Sequence, residues 1–313
     1  MAKKLLGVVA FALASVAVIG PVPLAAQQPD PKAEIGRAEQ VASSLKPQHG
    51  KIALPEAKAT LDLGTAYDFY GPADAKSILV DIWGNPPSAG EGVLGLVMPA
   101  GKSPLSDAWG AVITYEDTGY VADDDAASTD YAELLKQLQE GEAEDNKQRQ
   151  ADGYPTMHLV GWAEQPGYDK ASHSVVWARD LKISTSPVDG LNYDARTLGR
   201  NGVLSVNLIS SMSHLGEVKQ AAHEFASHVK FDPGARYEDY QDGVDKKAEY
   251  GIGGLVAAGV GVAVAKKLGL LAILLKFLKP ILLGLVVAFG AFKNKVMNLF
   301  RRNKGPLEGV DQE

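Results

Sequence analysis

The chain predicts an α+β fold: a mainly antiparallel sheet with a few packed helices, followed by C-terminal hydrophobic membrane helices. Two observations carry this expectation. Strand-like runs outnumber helical ones and follow one another, without the strand–helix alternation that builds a parallel sheet. Apolar residues then dominate from Gly251 to Phe292, after a middle section of mixed composition.

In chain order, residues 1–26 read as a signal peptide. Lys3 and Lys4 precede an apolar run from Leu5 to Gly20, and Leu24-Ala25-Ala26 before Gln27 forms the cleavage site. Residues 27–48 are a polar segment with a short helix, predicted over 32–45 from Ile35, Ala38, Val41 and Ala42 at helical spacing. The α+β domain occupies 49–250. Its first strands are predicted at 51–54 and 59–63, split by Pro55. Pro72 opens a helix that ends at Trp83, since proline suits a first helical position. Strands follow at 93–98 and 108–115, with Tyr120-Val121 after a turn at 117–119. Asp130 caps a helix running through Gln148, with Leu134, Leu135 and Leu138 as its buried stripe. Residues 157–162 and 174–177 read as strands of a hairpin, joined by the turn-rich Glu164-Gln-Pro-Gly-Tyr-Asp169. A strand at 203–209, a helix at 215–229 and an extended piece at 231–240 complete the domain. Residues 251–292 are the membrane-anchor helices and 293–313 a basic, polar tail.

The anchor is marked by Gly251, Gly254, Leu270, Leu283 and Phe292, but Lys266, Lys267, Lys276, Lys279 and Pro280 interrupt it. A clean span needs about 20 apolar residues, so one span and two both fit. Small residues recur four apart, as at Gly254 and Ala258, which lets helices approach closely and gives a homo-oligomer as one alternative. Charge is segregated: residues 27–250 carry 20 Lys and Arg against 35 Asp and Glu, formally −15. That argues against nucleic acid as a partner, and none is expected. The basic tail suits an anionic cytoplasmic leaflet, so membrane lipid is the expected partner of the C-terminal helices. With 0 cysteines there is no disulfide framework, thiolate metal site or cysteine nucleophile.

Asp117, Asp123, Asp124 and Asp125 form the densest acidic group, and oxygen-rich clusters suit Ca²⁺ or Mg²⁺. Asp123 and Asp125 are therefore the candidate metal ligands, although the run lacks the alternation of a calcium loop and reads equally as a solvated approach to a helix. His223 and His228 lie five apart, where a zinc pair on a helix needs four. His173 stands near Asp169 across the expected hairpin. Arg196 and Arg200, four apart, are placed either to grip a carboxylate or phosphate or to pair with the surplus acids. His173, Asp169, Arg196 and Arg200 are the candidate catalytic residues, without a nucleophile that spacing identifies and with no cofactor expected. Trp83, Trp109, Trp162 and Trp177 read as core anchors.

Several motifs together carry a resemblance. They are Trp83-Gly-Asn-Pro86, Tyr115-Glu-Asp-Thr-Gly-Tyr-Val-Ala-Asp-Asp-Asp-Ala126, Gly161-Trp-Ala with Pro166 and Tyr168-Asp169, and Trp177-Ala178. Leu191-Asn-Tyr with Arg196 and Leu198-Gly-Arg200, and then Tyr250-Gly251, complete the set. In this order they resemble a family of uncharacterised, membrane-anchored bacterial proteins, domain of unknown function 2167, over roughly 50–292. The resemblance implies an exported domain with a C-terminal anchor and transfers no catalytic residue. The expectation is a non-enzymatic inner-membrane protein. Its acidic domain would lie in the periplasm and bind a protein or envelope component, with its tail in the cytoplasm. A periplasmic hydrolase-like enzyme and a membrane oligomer are the alternatives.

Overall fold

The computed structural model describes residues 31–258, with side chains from 35 onward. The expected signal peptide, most of the expected anchor and the basic tail lie outside the described residues. Among those described, no helix is long and apolar enough to cross a membrane. The elements run α1 (Pro31–Ser44), β1 (Lys51–Leu54), β2 (Ala59–Asp62), β3 (Tyr67–Tyr70), α2 (Pro72–Ser77), β4 (Val93–Pro99), β5 (Gly110–Glu116), β6 (Tyr120–Ala122) and α3 (Tyr131–Ala151). They continue with β7 (Met157–Asp169), β8 (Ser174–Ile183), β9 (Gly190–Leu198), β10 (Val203–Ser211), α4 (Leu215–His228), β11 (Val229–Phe231), β12 (Lys247–Gly251) and α5 (Ile252–Ala258).

A seven-stranded sheet, ordered β3-β4-β5-β10-β9-β8-β7, is antiparallel throughout. Two runs of sequential strands, β3-β4-β5 with α2 between its first two members and β7-β8-β9-β10, thus meet at the β5–β10 pair. A three-stranded antiparallel sheet, β1-β2-β11, and a parallel pair, β6 with β12, complete the α+β architecture. The pattern of alternate residues divides the large sheet into two faces. Val97, Ile113, Tyr193, Ala195, Val206 and Leu208 face α4 and the small sheet, where Leu61, Val218, Ala222 and Phe225 close the main core. The polar heads of core aromatics reach the acids of neighbouring elements: Tyr67 donates to Glu224 at 2.6 Å and Trp109 Nε1 to Glu217 at 2.9 Å. Each ring thereby buries its body without stranding a donor. On the other face Leu96 and Met98 pack against Ile78 and Leu79, which lie in a π-helical turn, Ile78–Ile82, that continues α2 to Trp83.

Several expected elements shift. Glu164–Asp169 is not a link but the second half of β7, and the hairpin turn falls at 170–173. β7 is an edge strand with three register shifts, and an edge tolerates the Pro166 and Gly167 that read as turn residues. The segment holding Arg196, unassigned in the sequence, is strand β9. Residues 231–240 form the end of β11 and a 3₁₀ turn at Tyr237–Asp239, not a long extended piece. Strands β3 and β12 are additional to those read from the sequence. On α3, Leu134 and Leu138 are buried while Leu135 is only half-buried, and of the four tryptophans Trp109 and Trp177 are fully core.

Candidate functional site

β7 carries three register shifts against β8, and a cavity of about 280 Å³ lies between β7, β8 and the end of α4. Glu164, Tyr168 and Asp169 of β7 line it with Ser172 of the turn, Ser174 and Val176 of β8, and His223, Ala226 and Ser227 of α4. Glu164 is its fixed point. Its carboxylate receives Lys219 Nζ at 2.9 Å, His223 Nε2 at 3.0 Å and the Tyr193 hydroxyl. Burial opposes the ionised form, but these three partners outweigh it and hold Glu164 below the ordinary carboxylate value. Burial, and after it the same carboxylate, pushes the Tyr193 phenol up. The helical spacing of Lys219 and His223 puts both on one face of α4, aimed at a single residue of β7.

The hydroxyls of the pocket's serines are bonded to groups other than His223. Ser172 Oγ donates to Asp169 at 2.8 Å, Ser227 Oγ to the Glu224 carbonyl at 2.7 Å, and Ser174 Oγ pairs with Thr197 at 3.2 Å. One wall is built by β7, the hairpin turn and β8, with Glu164, Asp169, Ser172, Ser174 and Val176, and the other by α4, with His223, Ala226 and Ser227.

The residues singled out in the sequence take other places. Asp169 lines the pocket, and its carboxylate also closes the hairpin turn by accepting Ala171 N–H at 2.9 Å and the Ser172 hydroxyl. His173 adopts the left-handed region, φ 49°, at the end of that turn. Its contact with an acid runs through Tyr168, whose hydroxyl donates to Asp123 at 2.9 Å and lies 3.2 Å from His173 Nδ1. The His173 ring stacks on Tyr237 at 4.3 Å, Tyr237 on Tyr120 at 4.5 Å and Tyr120 on Tyr240 at 3.8 Å. Asp125 spends both oxygens on the first turn of α5, accepting Ile252 N–H at 2.7 Å and Gly253 N–H at 3.0 Å. Among the described residues no group of three or more His, Asp or Glu is arranged to hold a metal ion.

Arg196 and Arg200 are both engaged with acids. Arg196 lies on the face of the large sheet opposite α4, between Glu116 at 3.4 Å and Asp194 at 3.6 Å, with its guanidinium 5.2 Å from the Trp177 ring centroid. Arg200 grips Asp245 with two bonds of 2.8 and 2.9 Å, which raises its own pKa and lowers that of Asp245. The structure therefore joins His173 to Asp123 through Tyr168 and sets Asp169 beside them, while each arginine has a separate acidic partner. Glu164, Tyr193 and Lys219 were not legible as a site. Their meeting depends on the docking of α4 against β7, across 59 positions between Glu164 and His223.

Fold and site together define a class: a mainly antiparallel α+β domain with a small pocket between an edge hairpin and a helix. The chain belongs to the family described as protein of unknown function (DUF2167), whose profile matches residues 46–290. No curated protein matches it. Among solved structures, that of cyanobacterial PsbP (CyanoP) from Synechocystis sp. PCC 6803 has a TM-score of 0.33 and 9% identity. The match covers 60% of this chain and 93% of that one.

Proposed function

We propose that the chain is an exported, membrane-tethered protein whose domain binds a small polar component of the bacterial envelope in the pocket between β7, β8 and α4. The observation that carries the reading is the preformed pocket wall. Glu164 is pinned by three donors from α4 and β9 before any ligand arrives, which lowers the ordering cost of binding. Glu164 and Asp169 favour a solute rich in hydroxyl or ammonium donors over an anion. The leader-like residues 1–26 and the apolar run after Gly251 support export and tethering.

The test uses the full-length chain, produced with its leader in a bacterial host. The expected result is a protein that resists alkaline extraction from the inner membrane, with its domain cut by protease only from the periplasmic side. Native mass spectrometry of the detergent-solubilised protein should show a small-molecule adduct that Ala226→Trp, which fills the pocket, removes. A protein found in the soluble cytoplasmic fraction, or an adduct unaffected by Ala226→Trp, would overturn the reading. The carboxylate–imidazole contact of Glu164 and His223, at 3.0 Å, favours a hydrolase as the second reading. Turnover of an envelope substrate that His223→Ala abolishes would establish it.

A further inference from the structure

We propose that occupancy of this pocket is transmitted to the start of α5, through Tyr168, Asp123 and Asp125. The proposal rests on the pocket being a binding site and adds what binding there would do. Tyr168 belongs to two structures at once. It lines the cavity, and its hydroxyl is bonded to Asp123 and His173 on the far side. Asp123 and Asp125 lie two residues apart in one short turn, itself closed by Ala126 N–H to the Asp123 carbonyl at 3.1 Å and by Thr129 to the Asp125 carbonyl. One acid therefore holds the pocket hairpin while the other holds the first N–H groups of α5.

The geometry at α5 is tight enough to respond to a small shift. A Cβ on Gly251 would lie 2.4 Å from Asp125 Oδ1, and one on Gly253 2.9 Å from Thr129 Oγ1. The cap sits directly against the backbone that enters the helix, and hydrogen bonds weaken steeply with distance and angle. β6 and β12 pair alongside, at Lys247 with Tyr120 and Gly251 with Ala122, so the turn and the helix entrance move as neighbours. The ring stack from His173 to Tyr240 ties the hairpin to the same segment, with the Tyr237 hydroxyl donating to the Val121 carbonyl at 3.0 Å. A ligand that holds Tyr168 differently from the empty pocket biases this unit, as differential affinity for two arrangements requires. The residues that follow α5 are the apolar run read as the anchor, so the helix start is the junction between pocket and tether.

The chain has 0 cysteines, so a single thiol can be placed in the pocket. The experiment takes full-length Ser227→Cys in detergent, fills the cavity with benzyl methanethiosulfonate, and follows hydrogen exchange at Ile252 and Gly253. Ser172→Cys carries the same label from the opposite wall. Labelling is expected to change exchange at both amides about fivefold, the scale of a helix cap made or lost. Adding Tyr168→Phe is expected to abolish that response. Asp125→Ala shows that the assay sees the cap. Complete labelling at either position with unchanged exchange, where Asp125→Ala raises it, would overturn the proposal, and so would a response that survives Tyr168→Phe. The tethered label needs no natural ligand, so failure here is separable from failure to find a solute.

Discussion

Two glycines that look alike in the sequence have different work to do. Gly202 precedes β10, and a Cβ there would lie 2.1 Å from the Glu116 carbonyl oxygen and 3.0 Å from its carbon, both backbone atoms of a paired strand. Gly251 ends β12, and its added Cβ would instead meet the Asp125 carboxylate, the far end of a short side chain that can rotate away. Gly202→Ala is therefore expected to cost about 3 kcal/mol, because strand β5 must move. Gly251→Ala should cost only about 1 kcal/mol, the worth of the cap it displaces. Urea unfolding of the two variants beside the parent measures both, and equal losses would contradict the assignment of backbone and side-chain contacts. Locally, Gly199 and Gly202 read only as residues that allow a turn before β10. The requirement at Gly202 is instead close approach to a residue 86 positions earlier in the chain, which local spacing does not encode.

At the scale of elements, β7 shows how an edge is managed. Helix α3 lies along its first half and offers side chains where a neighbouring strand would offer backbone. Asn146 accepts Met157 N–H and donates to the Met157 carbonyl, both at 2.8 Å, Glu142 accepts Leu159 N–H, and Gln139 donates to the Leu159 carbonyl at 3.0 Å. Such cover removes the template for pairing with another chain. Asn146 is 8% exposed, so Asn146→Ala leaves the half-buried Met157 peptide N–H and carbonyl without these partners and is expected to cost about 2 kcal/mol. Hydrogen exchange at Met157 should rise in the same variant, and an unchanged amide there would show that α3 does not seal the edge. The start of α3 was legible because its signal is local: Asp130 Oδ1 caps the N–H groups of Ala132 and Glu133, both at 3.0 Å. Strand β9 was not. Its Leu191, Tyr193 and Ala195 alternate with Asn192, Asp194 and Arg196, whose polar partners are Arg179, Asn207 and Glu116 on other strands. A half-polar strand whose partners are distant reads locally as a loop.

At the scale of the whole molecule, the acid balance of residues 27–250 sets how the fold responds to pH. Glu164, Glu224, Asp169 and Asp245 are all held below their ordinary values by hydrogen-bonded partners in the fold. A carboxylate lowered by folding adds stability above its unfolded pKa and loses that stability as pH falls through the folded value. Burial raises Asp145 and Asp180, which work in the opposite sense, but neither anchors one element to another as Glu164 does. The net expectation is a urea midpoint that declines as pH drops through and below the ordinary values of 4.5 for Glu and 3.8 for Asp. Protonation also leaves the 20 cations of residues 27–250 unbalanced, and their mutual repulsion acts in the same direction. Glu164→Gln separates the pocket's share. It should be less stable than the parent at neutral pH, because Lys219 loses its charge partner and the hydrogen bond from His223 loses its carboxylate acceptor. It should converge with the parent in acid, where Glu164 is protonated in both states. Parallel pH curves for the two proteins would mean that the Glu164 charge does not hold α4 to β7. The pocket wall would then rest on the apolar contacts of α4 alone.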